Sequence, residues 1–169
     1  MKKHYRAGIL IRFNNDNKCF EFLIQEEYFP EQSRRMVKFP GGMESVEDNS
    51  AEDNLSRELK DELISSKASF SFEESVKSAL SLEGNPFYTV YDTHNDIEKD
   101  YYIVLETELT SFRGIPLREN PRVDGDTILG DIRWEKLTMF YPDLLPKHHY
   151  QAYSVLNSYF INNNIDFSR

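Results

Sequence analysis

Cysteine is nearly absent from this chain of 169 residues, in which Cys19 is the single example. One cysteine cannot form an intramolecular disulfide, and its apolar neighbours predict a small buried side chain rather than a reactive thiol. Long apolar runs are missing as well. The run at residues 7–11 is too short for a secretory core, and no segment approaches the length of a membrane span. We therefore expect a cytoplasmic protein with no membrane segment.

Basic side chains are fewer than acidic ones, since 20 Lys and Arg against 29 Asp and Glu give a formal net charge of −9. Binding to a polynucleotide relies on Lys and Arg to release counterions, so a polynucleotide partner is disfavoured. Small phosphorylated ligands fit better, because a metal ion can neutralise them locally. A hydrophobic content of 39% predicts a folded globule, and the length suits one domain over residues 1–169.

Apolar periodicity and turn residues predict where strands lie. The predicted strands cover residues 5–13, 18–28, 37–39, 87–91, 101–106 and 132–134. The first two form a hairpin, and the fourth and fifth pair across a polar loop. The segments between them are predicted as polar loops at 29–37, 92–100 and 107–130, with the ambiguous segment 68–82 read as a strand at 69–72 followed by a short helix.

Two helices follow from capping residues and amphipathic spacing. One begins near Ser50, whose hydroxyl can accept hydrogen bonds from exposed N–H groups, with Asp53 placed as in a capping box. Asp53, Arg57 and Asp61 stand four residues apart, so this helix taken alone is typical of a solvated surface with ion pairs worth roughly a few tenths of a kcal/mol each. The other helix covers residues 146–162, and its apolar side is formed by Tyr150, Tyr153, Leu156 and Phe160.

The most informative segment joins a glycine turn to an acidic helix. Residues 38–42 read KFPGG and residues 57–63 read RELKDEL. Glu58, Asp61 and Glu62 stand three and four residues apart, so a helix brings their carboxylates to one side. Leucines on a neighbouring stripe let the helix pack into a core while it presents these acids to a cleft. A hard divalent cation would offset their repulsion, and Mg²⁺ favours carboxylates together with substrate phosphates.

The sequence FPGG at residues 39–42, together with RELKDE at residues 57–62, resembles the Nudix box. This motif is the signature of hydrolases that cut nucleoside diphosphates linked to another moiety. The box covers residues 41–65 here, and residues 131–137 resemble the closing strand of the family, where an acid often precedes a tryptophan. The resemblance implies an α/β fold, the Nudix α/β/α sandwich with a mixed sheet between helices.

One glutamate of the Nudix pattern has no direct counterpart. The interval from Gly42 to Arg57 is one residue longer than the pattern. The glutamate position therefore falls on Asp48 when counted forward and on Asn49 when counted back. Two loop acids are alternative replacements, Glu44 and Glu47.

The helix half of the pattern carries two substitutions. Asp61 replaces a glutamate with a side chain one methylene shorter, which is still a hard oxygen donor. Ile64 stands where the pattern has glycine, and a glycine there usually caps the helix in the left-handed conformation. We therefore expect the helix to continue to Ser65 or Ser66.

The resemblance implies that Glu58, Asp61 and Glu62 bind Mg²⁺ or Mn²⁺ and form the catalytic centre together with Arg57. Such ions draw charge off phosphoryl oxygens and lower the pKa of a bound water, which attacks phosphorus. Arg57 is expected to pair with nearby acids and hold their rotamers. Its alternative role is an ordinary surface ion pair.

Substrate contacts are predicted before the helix. Gly41 and Gly42 allow the backbone to turn sharply and to approach a metal or a phosphate closely. Lys38 and Arg35 belong to the basic cluster nearest the motif and are our candidates for binding substrate phosphates. For Arg34 and Arg35, a solvated loop is the alternative interpretation.

The resemblance implies a general base on an acid beyond the box, in a loop near the last strands. The candidates are Glu119, Asp124, Asp126 and Asp131. We rank Asp124 and Asp126 first, because they flank Gly125 in a flexible-looking loop, although the ordinary surface acid is the more common role for any one of these residues. His148 and His149 point about 100° apart on a helix, so we expect them to be structural or exposed.

Together these features predict a metal-dependent pyrophosphohydrolase that cleaves the diphosphate linkage of a nucleoside diphosphate derivative. Nucleotide sugars, dinucleoside polyphosphates and nucleoside triphosphates are equally compatible as small-molecule substrates, and a homodimer is left open. The alternative is a catalytically silent Nudix-fold module that binds or senses a nucleotide. A plain structural domain with a solvated acidic helix is the third interpretation.

Overall fold

The structure is a computed structural model that describes residues 2–65, 69–83, 85–109, 117–137 and 145–162. Its strands are β1 (Lys3–Asn14), β2 (Cys19–Phe29), β3 (Arg34–Lys38), β4 (Gly41–Met43), β5 (Tyr88–Asp92), β6 (Ile97–Leu105), β7 (Arg122–Asp124) and β8 (Thr127–Lys136). Its helices are α1 (Ala51–Leu63), α2 (Ser69–Glu83) and α3 (Lys147–Asn162). None of the described helices is both long and apolar enough to cross a membrane.

The strands form one mixed sheet in the order β5-β6-β1-β2-β8-β7, to which β3 adds beside β2 and β4 beside β1. β1 runs parallel to β6 and antiparallel to β2. The predicted hairpin of the first two strands is confirmed, with Asn14 paired to Cys19 at its turn. The predicted closing strand is longer than its sequence signal and runs through Trp134 as part of β8.

Helices cover both faces of this sheet. Successive side chains of a strand point to opposite faces, and Ile9 and Leu10 of β1 accordingly enter different apolar clusters. The cluster around Ile9 contains Leu156 of α3, whereas the cluster around Leu10 contains Leu59 of α1 and residues of α2. The predicted α/β/α sandwich with a mixed sheet is therefore confirmed. Cys19 is buried, as expected for a small apolar side chain.

The predicted polar loop at residues 29–37 is wrong. β2 extends to Phe29, a short 3-10 turn follows at Pro30–Gln32, and β3 then returns along β2. Arg34 pairs with Phe29 and Lys38 with Gln25 in this ladder. β3 has only β2 as a neighbour in the described sheet, so an edge strand of mostly polar sequence is tolerated here.

The predicted strand at residues 69–72 is also wrong, because these residues begin helix α2. Phenylalanine and serine alternate at the start of this segment and imitate the period of a strand. The apolar residues further along follow helical spacing instead. Phe72, Val76 and Leu80 are buried and pack in the cluster that contains the α1 leucines, and this tertiary contact decides the conformation.

The predicted loop at residues 92–100 is shorter than expected. Asp92 accepts hydrogen bonds from the backbone N–H groups of His94 and Asn95, and this tight turn lets β6 begin at Ile97. The predicted pairing of these strands is confirmed as antiparallel β5 and β6. The loop predicted at residues 107–130 contains β7 and the start of β8, and its residues 110–116 lie outside the described part.

Helix α1 ends at Leu63 and does not continue to Ser65 or Ser66. Ile64 leaves the helix with extended backbone angles and forms an isolated bridge to Leu117. The backbone N–H of Arg118 donates to the carbonyl of Leu63 at 2.7 Å. The segment around residue 117 therefore satisfies a carbonyl that the end of a helix leaves without a partner inside the helix, so a tertiary contact closes the helix where the pattern has a glycine.

Helix α3 occupies nearly the range expected from the sequence. Tyr153 and Leu156 are buried, which confirms the predicted apolar side at these two positions. Tyr150 is 41% exposed, so its assignment to that side is wrong. The side chain of Phe160 lies outside the described residues. The first turn of α3 carries His149, which reaches the core of the molecule.

Candidate active site

The start of α1 is fixed by local hydrogen bonds. The hydroxyl of Ser50 accepts from the backbone N–H of Asp53 at 3.1 Å, as the capping sequence predicts. The carboxylate of Asp53 accepts from the N–H of Asn49 at 3.2 Å, so the loop before the helix is held as well. The buried stripe of Leu55 and Leu59 sets the rotation of the helix. These contacts determine which way the acidic side chains point.

A cleft of about 180 Å³ opens beside α1, and we call it the acid cleft. Its lining residues are Arg57, Glu58, Asp61, Glu62, Arg122, Asp124 and Leu129. The fold therefore brings the three predicted metal ligands and one predicted base candidate to the same cleft. Asp124 comes from β7, which is distant from α1 in sequence.

Glu62 is the most buried of the three helix acids, with 4% exposure. One carboxylate oxygen accepts from Gln25 at 2.5 Å and from the N–H of Gly41 at 2.7 Å. The other accepts from the ammonium of Lys38 at 3.0 Å. Burial nevertheless raises the pKa of Glu62, because the partners offset only part of the lost hydration. This carboxylate is held rigidly at the rear of the acid cleft.

Glu58 lies against the glycine turn. A methyl group on Gly42 would overlap the Glu58 carboxylate, so any larger residue there would displace this carboxylate from its position. Arg57 donates from Nη1 to the Glu58 carboxylate at 2.7 Å. Burial raises the pKa of Glu58, although Arg57 acts in the opposite direction. The charge of Glu58 is therefore incompletely neutralised by the protein.

Arg57 is anchored by Asp48, one of the two positions on which the missing glutamate falls. Its Nε and Nη2 atoms donate to the two Asp48 oxygens at 2.9 and 2.8 Å. This bidentate pair lowers the pKa of Asp48, and only 3% of the Asp48 side chain is exposed. The loop, although one residue longer than the pattern, thus places an aspartate, Asp48, where the pattern has a glutamate. Of the alternative acids, Glu44 pairs with Arg6 and Glu47 is exposed.

Asp61 is the most solvated of the predicted ligands, with 52% of its side chain exposed. The carboxylate oxygens of Asp61, Glu58 and Glu62 do not all lie within 4.8 Å of one another. The three acids therefore could not all bind one ion directly without movement of their side chains. In the described part of the chain, a different group of three residues meets this distance. Mg²⁺ usually keeps several water ligands, so direct contact from every acid is not required.

That other group contains His4, Glu98 and Asp100. Lys2 already pairs with Glu98, and the Nε atom of Arg6 lies 3.8 Å from the Asp100 carboxylate. Both acids therefore have a cationic partner in the protein. The group forms a charge-balanced network between β1 and β6 rather than an unneutralised acid site.

The residues predicted to contact the substrate lie in different surroundings. A methyl group on Gly41 would overlap the backbone carbonyl of Arg6, so the two chain segments approach closely there. Lys38 is buried between Glu27 and Glu62, at 3.3 and 3.0 Å. Burial disfavours its charged form, but Glu62, Tyr5 and Glu27 together outweigh burial and raise the Lys38 pKa. Arg35 lies on β3 rather than in a loop and pairs with Glu26 at 3.4 Å, away from the acid cleft.

The candidate bases are separated by the structure. Asp124 lines the acid cleft, whereas Asp126 lies in the exposed turn that follows it. Glu119 and Asp131 line a different cavity with Leu117. The proximity of Asp124 to the helix acids follows from the β7–β8 hairpin, in which Asp124 pairs with Thr127.

The donor set fits a hard divalent cation. Four carboxylates border the acid cleft, and carboxylate oxygens are the ligands that Mg²⁺ and Mn²⁺ prefer. Burial raises the pKa of both Glu58 and Glu62, which indicates negative charge that the protein neutralises only in part. An ion held by Glu58 and its neighbours would remove this electrostatic cost.

Two residues of the site escaped sequence reasoning. Gln25 donates a hydrogen bond to Glu62. Its position as a polar residue directly after the apolar run of β2 was the one feature of the sequence that could have indicated this role. Arg118 donates from Nε to the carbonyl of Glu62 at 2.6 Å and lies 3.4 Å from Gln25. Nothing in the sequence around Arg118 marks this role, because it depends on the contact between distant segments.

Comparison with known structures identifies the architecture. The Nudix domain of Shewanella oneidensis NrtR complexed with ADP ribose matches with a TM-score of 0.57 and 15% identity, over 95% of this chain and 89% of that one. A possible asymmetric diadenosine tetraphosphate hydrolase from Jonesia denitrificans matches with a TM-score of 0.56 and 13% identity, over 94% and 95% of the two chains. No protein-family profile and no curated protein sequence matches.

A longer form of Shewanella oneidensis NrtR, complexed with a 27mer DNA, matches with a TM-score of 0.51 and 14% identity. The match covers 94% of this chain and 63% of that protein. At these identities the likeness concerns the fold. The chain therefore has the Nudix fold.

Proposed function

We propose that this protein is a metal-dependent hydrolase that cleaves the diphosphate linkage of a nucleoside diphosphate derivative. The observation that carries the proposal is the acid cleft, where Glu58, Asp61 and Glu62 of α1 face Asp124 of β7. The Nudix fold supports it at the level of architecture. A small phosphorylated nucleotide is the proposed substrate, and the cytoplasm is the proposed location.

Each residue has a distinct part in this proposal. Glu58 and Glu62 would hold Mg²⁺ or Mn²⁺, and the more exposed Asp61 would contribute directly or through water. Such an ion would stabilise negative charge on the phosphoryl oxygens of a substrate. Arg57 fixes the position of Glu58 because Asp48 holds its guanidinium at two points. Asp124 is the proposed base, since it lines the acid cleft and is exposed enough to exchange protons with water.

A nucleotide-binding module without turnover is the second candidate function. Its support is the state of Glu62, whose two oxygens are already engaged by Gln25, Gly41 and Lys38. If these donors keep Glu62 from a metal ion, the cleft binds a nucleotide without hydrolysing it. The match to NrtR, described above with ADP ribose and with DNA, also fits a regulatory module.

Polynucleotide binding is not part of the proposal. The net charge of −9 opposes attraction to a polyanion. The DNA-bound NrtR chain is considerably longer than its matched portion, and likeness of fold does not transfer its ligand. A filter-binding assay with the same DNA length at low salt tests this statement, with no retention as the expected result.

The test of the hydrolase is a panel of nucleoside diphosphate compounds with Mg²⁺ and with Mn²⁺, whose products are separated by chromatography. The wild-type protein is compared with Glu62→Gln and with Glu52→Gln, a matched control in the first turn of α1 that does not line the acid cleft. Turnover that requires metal, disappears in Glu62→Gln and persists in Glu52→Gln supports the hydrolase. Binding without turnover across the panel supports the module.

A further inference from the structure

A second cavity is lined mainly by basic side chains, in contrast to the acid cleft. Its volume is about 470 Å³, within the range of about 300–1,000 Å³ typical of small-molecule sites. Four cationic side chains line it, and we call it the basic cavity: Arg34, Lys38, Lys99 and Lys147. Glu27 is the single acid in its lining. This concentration of positive charge contrasts with a chain whose net charge is −9.

Two of these cations have charge available for a ligand. Lys38 is neutralised by Glu27 and Glu62, and Lys99 lies 3.4 Å from the Asp92 carboxylate. Within the described ranges, Arg34 and Lys147 have no such ion pair. A guanidinium from β3 and an ammonium from α3 in the lining of one cavity can both bind phosphate oxygens.

The walls of the basic cavity also offer apolar surface. Phe29 and Met36 line it, and the guanidinium of Arg34 lies 5.2 Å from the centre of the Phe29 ring. An aromatic ring beside a cation suits a nucleobase or a sugar that carries phosphate. The cavity therefore matches a molecule with both a flat apolar part and negative charge.

Lys38 connects this cavity to the acid cleft. Its side chain lines the basic cavity, while its ammonium contacts Glu62, which lines the acid cleft. The path proposed for a substrate therefore runs from a diphosphate in the acid cleft, past Lys38, towards Arg34. The part of the substrate beyond the scissile linkage would then enter the region of unpaired positive charge.

We propose that the basic cavity binds the distal, phosphorylated half of the substrate, so that compounds with phosphate beyond the scissile diphosphate are preferred. Dinucleoside polyphosphates have this property, whereas nucleotide sugars with an uncharged distal sugar do not. This inference rests on the proposed hydrolase function for its kinetic consequence. The charge-dependent binding at Arg34 and Lys147 does not depend on catalysis.

The test compares a dinucleoside tetraphosphate with ADP-ribose as substrates. The double variant Arg34→Gln/Lys147→Gln removes the available charge, and Lys3→Gln/Lys136→Gln is a matched control, because these exposed lysines line neither the basic cavity nor the acid cleft. We expect kcat/KM for the tetraphosphate to fall about tenfold through KM in the first variant. ADP-ribose should be affected less than about twofold. Equal losses on both substrates, or no loss, would overturn the inference.

Calorimetry in EDTA separates this inference from the hydrolase proposal, since no metal-dependent turnover occurs there. The dinucleoside tetraphosphate is titrated into the wild-type protein and into both double variants. Binding that weakens about tenfold only in Arg34→Gln/Lys147→Gln supports the basic cavity even if no substrate is hydrolysed. Equal affinity for wild type and this variant, or no binding by the wild type, overturns it even if hydrolysis is observed.

Discussion

Lys38 lines the basic cavity and contacts Glu62 of the acid cleft, yet the charged groups of the two regions are held in different ways. In the acid cleft, Glu62 is fixed by three donors and Arg57 by the two oxygens of Asp48. In the basic cavity, Arg34 extends from an edge strand and is exposed. A site that positions reacting atoms needs fixed side chains, whereas a site that attracts an anion tolerates mobile ones. The acid cleft, which we propose to be catalytic, therefore holds its side chains more firmly than the basic cavity, which we propose to bind an anion, holds Arg34.

We expect the largest effect when a carboxylate is removed from the acid cleft. Glu58→Gln keeps the shape of the side chain but loses its charge, so a divalent ion loses a ligand. We expect turnover of any substrate to fall by about three orders of magnitude or more, equivalent to at least about 4 kcal/mol. Steady-state rates at saturating Mg²⁺ measure this change. Glu52→Gln, on the same helix, should retain the wild-type rate, and equal rates in both variants would remove Glu58 from the site.

A smaller effect distinguishes two acids of the same hairpin. Asp124 lines the acid cleft and Asp126 does not, so Asp124→Asn should lower kcat by about 10²–10⁴-fold, as expected for loss of a general base. Asp126→Asn should leave kcat unchanged. The pH profile of kcat gives a second readout, because loss of a base removes the acidic limb of the profile. Similar rates in both variants would exclude Asp124 as the base.

The support for Arg57 is tested by Asp48→Asn. This change removes the charge of a carboxylate that accepts two hydrogen bonds from Arg57. We expect the free energy of unfolding to fall by about 1–3 kcal/mol, measured by urea denaturation. Glu47→Gln is the matched control, because its side chain is exposed in the same loop. Equal stability of the two variants would mean that the Asp48–Arg57 pair does not hold the loop.

The smallest effect concerns His149, which links α3 to the glycine turn. Its Nδ1 accepts from the backbone N–H of Phe39 at 3.1 Å, so the ring is neutral there. Burial lowers the pKa of His149 well below its ordinary value. The unfolded chain therefore binds more protons below about pH 6.5, and stability must fall as the pH decreases through this region.

Replacing this histidine should flatten the pH dependence. For His149→Gln we expect the change in unfolding free energy between about pH 7.5 and pH 5.5 to shrink, by at most about 1.4 kcal/mol per pH unit. His148→Gln is the control, since His148 is only partly buried and its pKa is lowered less completely. Urea unfolding at the two pH values measures both variants. An unchanged slope in His149→Gln would contradict a neutral buried ring.

Local signals predicted much of the fold and of the site. The capping pair Ser50 and Asp53, the leucine stripe of α1 and the first hairpin are all encoded by neighbouring residues, and the structure has them. The alternation of Phe and Ser gave a strand where α2 forms, because contact with α1 outweighs a short local pattern. The polar sequence of β3 predicted a loop, but pairing with β2 makes this segment an edge strand.

The features that the sequence could not predict are contacts between segments that lie far apart in the chain. The bridge from Ile64 to Leu117 replaces a helix-capping glycine, and the pairing of Asp48 with Arg57 resolves an ambiguity of one residue in the loop. Spacing alone left Asp48 and Asn49 equivalent. The basic cavity likewise combines Arg34 of β3 with Lys147 of α3, which lie far apart in the chain.

Calorimetric titration of Mn²⁺ into wild-type protein, Glu58→Gln and Glu52→Gln tests the central claim most directly. The claim is that the acids of α1 form a divalent-cation site at the acid cleft. We predict saturable Mn²⁺ binding to the wild type and to Glu52→Gln that is lost or greatly weakened in Glu58→Gln. Identical Mn²⁺ binding by all three proteins, or none by the wild type, would contradict the account.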